Sequence, residues 1–148
     1  MFIHSLDIAL NESDLNSVIK KHVPTTGKIS NIRADLQDDH LVFSGHIQLL
    51  LSVKFEAVFE VFFTSFEIIA RLIAVHPMKA LAEGIKPKIL KKIVEVADFA
   101  ALDSEDSSIR IPIDALLSHY GLDSHLSIQD LAISENLLVL KLHGSITL

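Results

Sequence analysis

The stretch LLLSVKFEAVFEVFF, from Leu49 to Phe63, has an apolar residue at every odd position. This parity, with the apolar residues at odd positions, begins earlier, at Leu41. Alternation with a period of two is typical of a β-strand with one apolar face. A single strand from Leu41 to Phe63 would be ~75 Å long at ~3.3 Å per residue, whereas strands usually reach ~17–20 Å. The pattern therefore leaves two alternatives: a three- or five-residue reversal near 50–52, or one long bent strand.

The composition indicates one folded domain covering 1–148. A chain of 148 residues with 49% hydrophobic and 22% charged residues can bury a full core. There is no cysteine, so disulfides and thiolate metal sites are excluded. The net charge of −6 argues against nucleic acid as a partner.

Charged residues interrupt every apolar stretch, so a membrane-spanning helix is not expected. The N-terminus MFIHSLDIALNESD has Asp7 within its apolar part and no basic region before it, unlike a signal peptide. We therefore expect a soluble, non-secreted chain, in the cytoplasm as given and in the envelope if a signal segment had been removed.

The first part of the chain predicts a strand, a helix and a second strand. Phe2 to Leu10 forms the first strand, and Asn11 caps the helix that follows, with Asp14 in its first turn. Ile32 to Leu36 alternates again and is the second strand.

Changes in parity predict hairpin turns at 37–40, 64–65 and 134–137. Across a two-residue turn, residues i and i+3 face each other, so the apolar face changes parity there. The odd apolar set up to Phe63 gives way after Thr64-Ser65 to an even set that continues from Phe66 through Ala74.

From Pro77 the apolar period becomes helical, and we expect a helix within 77–98, kinked near Pro87. The residues expected to face the sheet are Leu81, Ile85, Ile89 and Ile93. The lysines of the opposite face include Lys79, Lys86, Lys88, Lys91 and Lys92. DSEDSS, at 103–108, is a polar loop and the best candidate linker.

The two ends of the chain share one order of elements. Units at about 2–51 and 107–148 both run strand, short helix, strand, polar turn, strand, which indicates a pseudo-repeat joined by a hairpin and the 77–98 helix. The predicted fold class is therefore α+β, with long bent antiparallel strands packed around amphipathic helices.

The ending GLDSHLSIQDLAISENLLVLKLHGSITL resembles the C-terminal end of the LmeA-like family of bacterial envelope proteins, within the tubular lipid-binding (TULIP) group. The shared pattern is a short helix, a glycine, an alternating strand, an acidic or Asn turn, and a final strand containing a glycine. The resemblance implies a long bent sheet around a helix, with acyl chains held in the seam. The chain departs from the family in lacking its N-terminal signal or anchor segment.

The sequence carries no catalytic motif. The histidines lack the zinc-binding H-E-x-x-H spacing, and no G-x-S-x-G or phosphate-binding loop occurs. His119, Asp123 and His125 lie close together in SHYGLDSH and could form a metal or hydrolytic site, but a helix end followed by a capped turn explains them more simply. We therefore predict a protein that is not an enzyme and needs no metal or cofactor.

Non-enzymatic binding of a lipid or other long apolar ligand, in a groove between sheet and helix, is the predicted function. Its ligand-binding residues are Phe43, Ile47, Phe55, Phe59, Phe63, Ile85, Ile89 and Ile93. Peripheral membrane contact would use Lys86, Lys88, Lys91 and Lys92. Two other interpretations stay open: the apolar ribbon is simply the core, or the protein is an interaction module that buries its apolar surplus in a homodimer or complex.

Overall fold

The computed structural model describes residues 1–22, 29–48, 51–76, 87, 90, 91, 94, 100–103, 105–119 and 121–147. Two helices bounded within these residues are α1, Glu12–His22, and α2, Ile113–His119. The strands are β1 Phe2–Leu10, β2 Ile29–Gln37, β3 His40–Gln48, β4 Ser52–Phe63, β5 Glu67–His76, β6 Ala101–Asp103, β7 Ser108–Pro112, β8 Asp123–Ser134 and β9 Leu137–Thr147.

The strands form two antiparallel sheets, so the fold is α+β as predicted. The small sheet has the order β1-β9-β8, and the large sheet has the order β2-β3-β4-β5-β7-β6. β1 pairs with β9 near the C-terminus, whereas β7 pairs with β5 of the large sheet. The last part of the chain thus contributes to both sheets: β8 and β9 form the small sheet with the N-terminal β1, and β7 belongs to the large sheet.

The ribbon from Leu41 to Phe63 is two antiparallel strands, and the chain changes direction between Gln48 and Ser52. β3 and β4 pair from Leu41 opposite Phe59 to Gln48 opposite Ser52. Because three residues lie between the last paired positions, odd residues of β3 face odd residues of β4. The apolar face therefore keeps its parity through the turn, which explains why the sequence alone left the choice open.

Two of the predicted hairpin turns have the expected length. Gln37 pairs with His40, and Ser134 pairs with Leu137, so each turn has two central residues. Glu135 and Asn136 have φ values of 54° and 62°. Positive φ at both central positions is the conformation that matches the twist of a tight hairpin.

The chain also reverses at Thr64-Ser65, but the prediction of a two-residue turn was wrong. Phe63 pairs with Ile68, which leaves four residues between these two paired positions. The Thr64 N–H donates to the Glu67 carbonyl oxygen at 2.9 Å, and Thr64 Oγ1 accepts the Glu67 N–H at 3.1 Å. Thr and Ser are poor residues for the positive φ of a two-residue turn, and the longer loop avoids that conformation.

The predicted even apolar set of β5 ends at Leu72 rather than at Ala74. Leu72 lies opposite Phe59 and Ala74 opposite Val58, so Ile73 is an extra residue in β5. Beyond this bulge, odd-numbered residues of β5 lie on the face that even-numbered residues occupy before it. Val75 is consequently buried, while Ile73 is 39% exposed.

The N-terminal cap predicted for the first helix is confirmed, and the second helix is followed by a glycine. The Asp14 N–H donates to Asn11 Oδ1 at 2.8 Å, and the Asn11 N–H donates to Asp14 Oδ2 at 3.0 Å, which is a reciprocal N-terminal cap. After α2, Gly121 has φ 83°, and its N–H donates to the Ser118 carbonyl oxygen at 2.9 Å. Glycine adopts this left-handed conformation without steric cost.

Two apolar clusters form the core, one on each sheet. The large-sheet cluster includes Ile47, Phe55, Phe59, Leu72, Val75, Leu90 and Ile109. The small-sheet cluster includes Ile113, Leu126, Ile128, Leu131 and Leu142. Val61 and Ile68, from the end of the β4–β5 hairpin, pack against the small-sheet cluster. This hairpin therefore connects the two clusters.

Within the expected helix at 77–98, the described residues Pro87, Leu90, Lys91 and Val94 are helical. Leu81, Ile85, Ile89 and Ile93, the residues expected to face the sheet, lie outside the described part of the chain. The segment 103–108 is not a linker, because Asp103 pairs with Ser108 in the β6–β7 hairpin.

Candidate functional site

The apolar face of the large sheet is the candidate site, and β3 and β4 position its side chains. Ile47, Phe55 and Phe59 are each about 1% exposed. They share one face because the β3–β4 register keeps odd residues opposite odd residues. The rings of Phe43 and Phe59 meet edge to face, with centroids 5.5 Å apart. This geometry is favourable for aromatic pairs.

Gly45 provides the space that Phe55 uses at the centre of this face. A Cβ atom at position 45 would lie 2.7 Å from Ile32 Cδ1, 2.9 Å from the Ser30 carbonyl oxygen and 3.3 Å from Phe55 Cε1. Any larger residue would push these groups apart. The glycine thus lets a large ring pack closely over β3.

The structure brings together four of the predicted ligand-binding residues. Phe43 packs against the cluster that contains Ile47, Phe55 and Phe59. Phe63, also predicted to bind the ligand, does not join them. It is 39% exposed and lies at the end of β4, where the strand leaves the cluster. The other predicted members, Ile85, Ile89 and Ile93, fall outside the described residues.

Leu90 and Val94 belong to the site, although the sequence analysis did not name them. Leu90 is 3% exposed and lies within the large-sheet cluster, against which Val94 packs. They are four residues apart, the spacing that places two side chains on one helix face. This spacing was the available signal, but it was obscured by a second apolar series in the same segment.

Of the four lysines predicted to contact a membrane, Lys91 is described and is exposed. It follows Leu90 directly, so the sequence changes there from a buried apolar side chain to a solvated cation. Lys86, Lys88 and Lys92 are outside the described part of the chain.

A second apolar surface lies at the end of the β4–β5 hairpin, and we call Phe62, Phe63 and Phe66 the aromatic tip. Their exposed fractions are 37%, 39% and 64%. The Arg71 guanidinium carbon lies 4.6 Å from the centroid of the Phe62 ring, within the range of a cation–π contact. Val42, an even-numbered residue of β3, is only 3% exposed and contributes nothing to this surface.

The described polar groups near the large sheet include a small network of ion pairs. Arg110 lies 3.6 Å from both Glu67 and Asp103, and these side chains are about one-third exposed. Among the described residues, no group of three or more His, Asp or Glu side chains could hold a metal ion. In the part of the chain covered by the structure, no helix is long and apolar enough to cross a membrane.

Comparisons of the chain with protein-family models, curated proteins and solved structures give no significant match.

Proposed function

We propose that this protein binds an acyl chain or another long apolar ligand without catalysis, against the apolar face of the large sheet. The observation that carries the proposal is the continuity of this face. It runs across β3, β4 and β5, and the helical residues Leu90 and Val94 lie against it. A ligand inserted between the sheet and this helical segment would contact apolar side chains along its whole length.

The physical reason favours a ligand with few polar groups. Each methylene group moved from water to such a surface contributes ~0.8 kcal/mol. The inner face offers Phe43, Phe55 and Phe59 for dispersion contacts. It has no described cluster of polar groups that would select a polar substrate.

Peripheral contact with anionic lipid belongs to the same proposal. Lys91 is exposed next to the buried Leu90. Together with Lys88 and Lys92 it would place cations along one side of an amphipathic helix, the arrangement that favours binding at a lipid surface, whereas Lys86 would lie toward the side of Leu90. The pseudo-repeat of 2–51 and 107–148, with the sheets packed around the helices, is part of the proposed architecture. The shared strand–helix–strand–strand order of the two ends supports it.

A second candidate is an interaction module, and the aromatic tip favours it. Phe62, Phe63 and Phe66 expose apolar area on a hairpin whose backbone is hydrogen-bonded to the rest of the protein. Exposed aromatic residues on a rigid element are enriched where proteins meet. In this case the apolar surplus would be buried in a homodimer or a larger complex.

Native mass spectrometry of the purified protein, combined with extraction into organic solvent, tests the first candidate. We expect retained lipid on the wild type and saturable binding of a fluorescent fatty acid after extraction. Phe59→Glu should abolish both, because it places a carboxylate in the apolar face. Phe62→Glu is the matched control, since it makes the same change on the same strand at an exposed position.

The outcomes separate the two candidates. Phe59→Leu keeps the site apolar and should retain binding, which distinguishes a lost site from a lost fold. A wild-type protein that carries no lipid and shows no saturable fatty-acid binding would overturn the first candidate. A dimer that Phe62→Glu dissociates would then support the second.

A further inference from the structure

Helix α1 covers the outer edge of the large sheet through the side chain of Asn16. Asn16 Oδ1 accepts the Ala34 N–H at 2.8 Å, and Asn16 Nδ2 donates to the Ala34 carbonyl oxygen at 2.9 Å. Glu12 Oε1 accepts the Leu36 N–H at 2.9 Å. These three bonds satisfy backbone groups of β2, which is the edge strand of the large sheet.

The contact reproduces the pairing that a neighbouring strand would make. In an antiparallel ladder, one residue exchanges both its N–H and its C=O with the residue opposite. Ala34 makes this pair of bonds with the amide of Asn16 instead. Leu36, two residues further on, also directs its N–H outwards, as the period of a strand requires. The outward backbone groups of Ala34 and Leu36 therefore have the geometry for pairing with another strand, and side chains of α1 bind them instead.

The face of α1 that carries Asn16 is half-buried, at Glu12, Leu15, Asn16 and Ile19. None of the described α1 residues belongs to either core cluster, and Val18 is 47% exposed. An isolated helix of 11 residues is also marginal in water. The hydrogen bonds of Asn16 and Glu12 are the polar contacts that tie α1 to the edge.

We propose that the β2 edge is a strand-addition site, that α1 is its removable cover, and that its occupant is β2 of a second copy of this chain. The register follows from the outward-pointing groups of Ala34. Two β2 strands related by a two-fold axis at Ala34 would pair Ala34 with itself and exchange both backbone bonds. The large sheets of the two copies would then become continuous.

This register is complementary in charge and in hydrophobicity. It places Arg33 opposite Asp35 of the second copy on one face, and it does so twice by symmetry. On the other face, Ile32 comes opposite Leu36, next to the irregularity of β2 between Ser30 and Arg33. Opposite charges and apolar pairs directly across an antiparallel ladder are both stabilising. Within one chain, Arg33 Nε lies 3.5 Å from Asp35 Oδ1, so the two side chains already lie on the same face of β2.

Sedimentation velocity over a wide range of protein concentration tests the proposal. The variant Glu12→Ala/Asn16→Ala removes the cover, and its dimerisation should be at least about tenfold tighter than that of the wild type. Ser17→Ala is the matched control. Ser17 lies next to Asn16 on α1 but bonds only within the helix, to the Ser13 carbonyl oxygen, and should leave dimerisation unchanged. Asn16→Leu keeps the side-chain volume and provides the same test if the double variant does not fold.

Charge reversal on the uncovered background tests the register. Arg33→Asp should weaken the dimer, because it places two carboxylates opposite each other. The swap Arg33→Asp/Asp35→Arg should restore it. An uncovered variant that folds but stays monomeric would overturn the proposal, and so would a dimer that is indifferent to Arg33→Asp.

Discussion

The backbone N–H of Ile128 donates a 2.7 Å hydrogen bond to the carbonyl oxygen of Ser65. Ser65 is in the β4–β5 turn of the large sheet, whereas Ile128 is in β8 of the small sheet. A second bond, 2.9 Å from the Ile113 N–H to the Phe66 carbonyl oxygen, ties the same turn to the start of α2. The backbone of this turn is thus shared between the two sheets, and its position decides how they meet.

We expect Ile68→Ala to loosen this junction. Ile68 packs against the small-sheet cluster although it belongs to the large sheet. Its truncation should lower the free energy of unfolding by about 2 kcal/mol, measured by urea denaturation. It should also speed amide hydrogen exchange at Ile128. Ile69→Ala changes the neighbouring residue on the opposite face and is the control. Unchanged exchange at Ile128 would show that the junction does not depend on this side chain.

Leu90→Ala tests whether the helical segment is docked on the large sheet. Because Leu90 is 3% exposed within the cluster, its truncation should cost about 2–5 kcal/mol of unfolding free energy. Lys91→Ala, at the adjacent exposed position, should change stability by no more than about 0.5 kcal/mol. A loss below ~1 kcal/mol for Leu90→Ala would contradict the packing of this segment on the sheet.

Gly144→Ala should be among the most destabilising single-methyl changes in the chain. Gly144 has φ 143°, and an added Cβ would collide with the carbonyl oxygen of His125 on β8. We expect a loss of at least about 3 kcal/mol, from backbone strain and from displacement of the strand. Gly121→Ala is the comparison, because φ is 83° but nothing lies within 4 Å of the added atom. Its cost should be only about 1–2 kcal/mol in thermal or urea unfolding.

The β8–β9 turn offers a stabilising change. Glu135 and Asn136 both have positive φ, which is unfavourable for glutamate. Glu135→Asn/Asn136→Gly creates the Asn-Gly pair preferred in this turn and should raise the unfolding free energy by about 1 kcal/mol. Asp38 also has positive φ, at 55°, but Asp39 is not among the positive-φ residues, so Asp38→Asn/Asp39→Gly should help less. Equal or lower stability of the 135–136 variant would contradict the assigned turn geometry.

The sequence by itself determined the local elements. The reciprocal cap of Asn11 and Asp14, the end of α2 at Gly121 and the turns at 37–40 and 134–137 were all predictable. Each depends on residues close in the chain and on the conformations that those residues favour. The grouping of Phe43, Ile47, Phe55 and Phe59 was also predictable, because period-two alternation fixes which side chains share a face.

Only the tertiary structure decided how these elements meet. Pairing of β1 with β9, and of β7 with β5, joins residues far apart in sequence, and alternation does not specify a strand's partner. The exposure of Phe63 arises where β4 leaves the large-sheet cluster, whereas the bulge at Ile73 keeps both Leu72 and Val75 in that cluster. The hydrophobic pattern is a property of one strand, whereas the burial of a side chain depends on the side chains that pack against it from other elements. For that reason the sequence placed Phe63 on the apolar face, and the fold left it exposed at the end of the hairpin.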